Sequence, residues 1–200
     1  MLLSLPPELL TAICYHVLVF PDQSIYHCGK TRQGYYVSGS EARSDNRRIM
    51  VGLCFLFLCR DIYHYGLPVF RANNQFVFYT WEQFDEVTAR ADSSLAFMQD
   101  ITVLGLGCRM KDDRSGPLLN ILGHLPLRRL RIGCPKAFMA DLLQLADESP
   151  SLESLMFTYR LEEQHLHLRM DCSPLLSLDR ETRVSIFEEQ APKQLDHNYA

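Results

Sequence analysis

The chain has no hydrophobic run long enough to cross a bilayer. Its longest, Ile49 to Cys59, is eleven apolar or small residues closed by Arg47-Arg48 before and Arg60-Asp61 after, against the roughly twenty that a spanning helix needs. It also has little excess charge. Twenty Lys and Arg against 24 Asp and Glu leave a net −4, with a pI near 6.0, so no overall field draws nucleic acid or an anionic membrane. There is no glycine-rich phosphate loop, G-x-S-x-G elbow, H-E-x-x-H or C-x-x-C pair, and with them go the motifs by which common enzymes announce themselves.

The titratable residues that remain are poorly placed for chemistry. Cys14 and His16 stand two apart on a helix and do not face each other. His165 and His167 share a strand face but have no partner at metal-ligand spacing. Asp112-Asp113 sits in a polar stretch, MKDDRSGP, where turn residues belong. Cys59 beside Arg60 lies inside the apolar run, a setting for an inert thiol. The expectation is a non-enzymatic protein with no cofactor and no metal. The seven cysteines are odd in number, and several sit in apolar runs, as small buried hydrophobes do. The opening MLLSLPPELL has no basic leader, and Pro6-Pro7 interrupts its apolar stretch. Together these predict a reduced intracellular setting, cytoplasm or nucleus.

What is present is enough to build a core. Two hundred residues, 47% hydrophobic and 10% aromatic, suit one domain or a domain with a small appendage. Residues 4 to 20 predict a first helix, with Ser4 as cap, prolines in the first turn and Glu8 favouring the helix dipole. Leu9, Ile13 and Val17 line one stripe of it, with Leu10, Cys14 and Leu18 beside. Ser24–His27 and Gly34–Val37 read as a surface hairpin, and 38–48, SGSEARSDNRR, as a polar, mobile connection. From Ile49 the pattern predicts one long helix, buried almost all round at first and then apolar on one face, stopped or kinked at Pro68. Asn73-Asn74 makes a turn and Phe76-Val77-Phe78 begins a strand.

Beyond that point the chain repeats. Ile101-x-x-Leu104-x-Leu106, Leu127-x-x-Leu130-x-Ile132 and Leu152-x-x-Leu155-x-Phe157 share one spacing, with starts 26 and 25 residues apart. Phe76-x-Phe78 lies 28 residues before Leu104-x-Leu106 and reads as a diverged first copy. Helical stretches follow at Trp81–Ala91, Pro117–His124 and Phe138–Asp147. The period falls in the leucine-rich-repeat range and predicts a short, irregular strand–helix array with a parallel sheet, over residues 73–170. The competing reading is a compact α/β layer in which the spacing is fortuitous. Residues between the leucines would face outward: Val103, Gly105 and Gly107, then Arg129, Arg131 and Gly133, then Ser154, Met156 and Thr158. Arg129, Arg131, Met156 and Arg160 form the candidate target-binding face. Its arginines suit an acidic peptide or, equally, are a solvated edge. His165–Met170 alternates as a last strand, Leu178–Glu189 reads as a short helix, and 190–200 as a tail.

Two stretches resemble a known family. Leu58-Cys59-Arg60-Asp61-Ile62-Tyr63-His64, Gly66-Leu67-Pro68-Val69-Phe70 and Asn73-Asn74-Gln75-Phe76-Val77-Phe78 resemble the middle of a fungal F-box-like family of largely unassigned function. Tyr65-Gly66 and Phe70-Arg71 depart from its usual glutamate-alanine and leucine-tyrosine. Leu5-Pro6-x-Glu8-Leu9-Leu10-x-x-Ile13, then Leu18, resembles the first helix of an F-box. The resemblance implies an F-box-like helical region over 1–72, in which the hairpin and polar stretch at 21–48 read as an insertion, while so short an array needs capped ends, which makes 171–200 a C-terminal cap and tail. It implies that Leu5, Pro6, Glu8, Leu9, Ile13 and Leu18 dock on the Skp-type adaptor of a cullin-RING ubiquitin ligase, an apolar helix in a groove, while the repeat face holds a target protein. The alternative is a stand-alone binding scaffold of the same fold without adaptor docking, its first helix packed only on its own domain.

Overall fold

Five parallel strands form the middle of a seven-stranded sheet of order β2-β1-β3-β4-β5-β6-β7, with β2 and β7 antiparallel at its edges. The structure, a computed structural model, describes residues 5–27, 35–37, 42–90, 93–105, 121–133, 145–147, 149–161 and 166–178. The strands are β1 (Ser24–His27), β2 (Tyr35–Val37), β3 (Gln75–Phe78), β4 (Asp100–Val103), β5 (Arg129–Gly133), β6 (Ser154–Leu161) and β7 (Leu166–Asp171). The helices are α1 (Pro7–Leu18), α2 (Ala42–Leu56), α3 (Arg60–Ala72) and α4 (Trp81–Arg90). The chain is thus α/β, and its central strands follow one another in space as in sequence.

An apolar-x-apolar triplet makes each of β3 to β6. Ile25, Phe76, Ile101, Leu130 and Leu155 stand in register across β1 and β3–β6, all buried. Phe78, Val103, Ile132 and Phe157 form a second row, each fully buried. Burying such a side chain is worth about 1.5–3 kcal/mol, and slipping a strand by one residue would expose its share of both rows. That sum fixes the register.

The register corrects the phase of the repeat. Ile101 pairs with Leu130, not with the position of Leu127, so Phe76-x-Phe78 matches Ile101-x-Val103 and the units are 25, 29 and 25 residues long. Met98 is the earlier counterpart of Leu127 and Leu152, and all three are buried. The backbone repeats with them: Arg129 N donates to Gln99 O at 3.0 Å, and Ser154 N to Arg128 O at 3.0 Å. Leu104 lies just past β4 and donates to Phe78 O at 2.8 Å. Leu106 and Gly107 lie outside the described residues, as do most of the helical stretches expected at 117–124 and 138–147.

The hairpin of β1 and β2 is as expected, but it is part of the main sheet, since β1 pairs parallel with β3. One hydrophobic core therefore runs across the expected boundary at residue 72, joining Cys14, Leu18 and Ile62 to Phe76, Leu130 and Phe157. The long helix is in fact two. Phe57 N and Leu58 N turn to the carbonyls of Cys54 and Phe55, each at 3.1 Å, and Cys59 takes an extended conformation at the N-cap of α3. Asp61 in the first turn favours a fresh start there. Upstream, α2 begins at Ala42, so the polar connection is shorter than its composition suggests. Pro68 sits inside α3, which continues to Ala72.

Helix α1 starts without a side-chain cap: Pro6 is the N-cap residue, and Ser4 lies outside the described residues. It packs on α3 at Gly66, where an added Cβ would come within 2.6 Å of Leu56 Cδ2 and 3.0 Å of Leu18 Cδ1. Asn74 joins both helices to the sheet. Its Oδ1 accepts from Phe20 N at 2.8 Å, and its Nδ2 donates to Leu18 O at 2.9 Å and Phe70 O at 2.7 Å. Two of these acceptors are carbonyls at helix C-terminal ends, which helices leave without internal partners.

Candidate functional site

Two surfaces carry the candidate residues. The first is the helical end. Its inward stripe on α1 is Leu10, Cys14 and Leu18, while Leu9, 51% exposed, and Tyr15, 49% exposed, face outward on different sides of the helix. Pro6 and Glu8 are exposed, while Leu5 and Ile13 are half-buried. Leu18 is a correction: it is fully buried against Gly66 of α3, and belongs to the core. A periodicity of 3.6 identifies the apolar stripes of a helix but not which stripe turns inward when two adjoin.

A second group of exposed apolar side chains lies at the start of α3 and just before it. Phe57 is 75% exposed and Leu58 66%, and the Phe57 ring lies 6.1 Å from that of Tyr63 on α3. These residues fall at the break between α2 and α3, in the run that composition alone buries. Their availability follows from the break, which no glycine or proline at 57–59 signals.

The second surface is the sheet face opposite the core. Its first row runs Ser24, Gln75, Asp100, Arg129. The Ser24 hydroxyl bonds the Gln75 side chain, and Arg129 Nε meets Asp100 Oδ2 at 2.9 Å. Burial pushes the Asp100 carboxyl above its ordinary value, with Arg129, Arg131 and a Gln75 hydrogen bond pulling back. Desolvation wins because the acid is nearly enclosed while its arginine is 68% exposed. Beside them Arg128 holds Glu153 by two hydrogen bonds of 2.9 and 3.0 Å. Clefts of about 220 and 380 Å³ open along this edge, both lined by Asn73, Asp100 and Arg129.

Of the expected target-binding residues, Arg129 and Arg131 are exposed and Met156 is half-buried. Met156 pairs in register with Arg131, so the three adjoin. The side chain of Arg160 lies outside the described residues. Val103 is a correction, since it faces the core. The face is also not uniformly open, because Val77 and Thr102 are buried on it. Gly105 and Gly133 serve a close backbone crossing instead. Gly105 has φ +64°, and a Cβ on Gly133 would come within 2.0 Å of Leu104 O. Trp81 Nε1 donates to Gly133 O at 3.2 Å and ties α4 to that crossing.

Among the described residues no three His, Cys, Asp or Glu stand together as metal ligands would, and His165 lies outside them. Burial pushes the Cys172 thiol up to about 12 and that of Cys14 above its usual value, so neither is a nucleophile near neutral pH. No helix among the described residues is long and apolar enough to cross a membrane. No protein-family model, curated protein or solved structure matches the chain.

Proposed function

We propose that the chain is an intracellular, non-enzymatic protein-interaction module of F-box-like and leucine-rich-repeat-like build, linking a target protein to a cullin-RING ubiquitin ligase. The helical end docks a Skp-type adaptor and the sheet face holds the target. One observation carries the reading: Leu9, Phe57 and Leu58, large and apolar, stand more than half exposed on the helical end. Single exposed hydrophobics are ordinary, but Phe57 and Leu58 are adjacent and Tyr63 lies against Phe57. Full burial of such a side chain is worth about 1.5–3 kcal/mol, and roughly half to three-quarters of that remains to be gained at Leu9, Leu58 and Phe57. Leu5, Pro6, Glu8 and Ile13 of the F-box-like motif flank Leu9 on the same helix or its approach.

The test is co-purification with a recombinant Skp-type adaptor. Wild type retains the adaptor, and a Leu9→Asp, Phe57→Asp double variant, altered only at exposed positions, loses it. Equal retention by both, or none by wild type, ends the ligase reading. The second reading, a scaffold without adaptor docking, has the burial of Leu18 in its favour. It predicts no retention and an unchanged target complex in the double variant.

A further inference from the structure

Three arginines stand in a row at the start of β5, and two of them already hold a carboxylate. Arg128 grips Glu153 through two hydrogen bonds and Arg129 grips Asp100. Arg131, the third, is exposed; its charge acts on Asp100, but it makes no ion pair within 4 Å among the described residues. The other acid near it on this face, Asp171, sits beyond Met156 in the register. Its Oδ1 accepts from the backbone N–H and hydroxyl of Ser173, at 2.9 and 2.6 Å, and it makes no ion pair with Arg131. Thr102, the register partner of Arg131 on β4, is buried with its hydroxyl unpartnered. It adds an unpartnered hydroxyl beside that exposed guanidinium.

Resting on the reading that this face holds the target, we infer that Arg129 and Arg131 receive two carboxylates at positions i and i+2 of an extended, acidic segment of the target protein. Strand geometry sets the spacing. Arg129 and Arg131 point to one side of β5, about 6.6 Å apart, and alternate side chains of an extended segment repeat at the same distance. Arg129 remains 68% exposed while bound to Asp100 through Nε, so its outer nitrogens reach a second acid. The planar fork of arginine matches a carboxylate, and the neighbouring Arg128–Glu153 pair shows that match on this same edge.

The test is fluorescence anisotropy of the full chain with labelled glycine–serine peptides. They carry two aspartates at i and i+2, two at i and i+3, two lysines, or two phosphoserines at i and i+2. The i, i+2 diaspartate peptide binds about tenfold or more tightly than the lysine peptide, the scale of one charge-assisted hydrogen bond, and more tightly than its i, i+3 isomer. Arg131→Gln, an exposed change, lowers that affinity about tenfold, and Arg131→Lys recovers part of it. Binding that ignores the spacing, survives Arg131→Gln, favours the phosphoserines, or is absent for every peptide overturns the inference. Adaptor retention by the Arg131→Gln variant is read in parallel. Its persistence alongside failed peptide binding sinks this inference alone, and its loss in wild type sinks the broader reading.

Discussion

Replacing Asn74 by Ala tests how the helical end is held on the sheet. Asn74 is 2% exposed, and its amide makes three hydrogen bonds of 2.7–2.9 Å to Phe20 N, Leu18 O and Phe70 O. Withdrawing a partner from a buried donor or acceptor costs about 1–3 kcal/mol each. Relaxation and entering water reduce the sum, leaving an expected loss of about 3–5 kcal/mol. Against the roughly 5–15 kcal/mol of a typical domain, that is a large fraction. Asn74→Asp is the sharper variant, because it keeps the oxygen facing Phe20 N but sets a second oxygen against two carbonyls. Urea unfolding followed by Trp81 emission reads both. A loss under about 1 kcal/mol for Ala, or an Asp variant as stable as wild type, would refute the clamp.

Gly133→Ala places a Cβ 2.0 Å from Leu104 O; backbone must move, and a loss of about 2–3 kcal/mol is expected in the same assay, with no change meaning that the β4–β5 crossing is looser than described. The Asp100 carboxyl is raised above its ordinary 3.8 by burial, so the fold prefers the protonated acid. Its contribution to stability is full below 3.8 and is lost as pH rises through the folded value. Asp100→Asn therefore gains stability over wild type near neutral pH and none below 3.8 in melting scans, and a greater loss at neutral pH than in acid would show that the Arg129 pair outweighs burial. Brief iodoacetamide treatment followed by mass spectrometry should label exposed Cys54 in the native protein and reach buried Cys14 and Cys172 only after unfolding. Native labelling of Cys172 would contradict its enclosure.

The sheet was legible because apolar-x-apolar triplets at near-constant intervals leave few other ways to bury Phe76, Ile101, Leu130 and Leu155. The phase was not, because Met98 at the equivalent of Leu127 and Leu152 broke the leucine pattern and a longer unit between β4 and β5 shifted the count. The first helix was read correctly in place, whereas its inward stripe depended on Gly66, a contact 48 residues distant from Leu18. The exposure of Phe57 and Leu58 was hidden for a related reason. An apolar run shows no break when the next helix restarts on an extended Cys59 rather than on a glycine or proline. The arginine row was visible in sequence, but only the register revealed that Asp100 and Glu153 occupy two of its members. Asn74 looked like a turn residue, since its three partners lie at the ends of two helices that only the folded chain brings together.

Adaptor docking at the helical end is read by hydrogen exchange of the full chain with and without a recombinant Skp-type adaptor. Addition of the adaptor slows exchange in 7–18 and 57–63 and leaves 129–133 unchanged. Unaltered exchange throughout, or protection confined to the sheet, would contradict that docking.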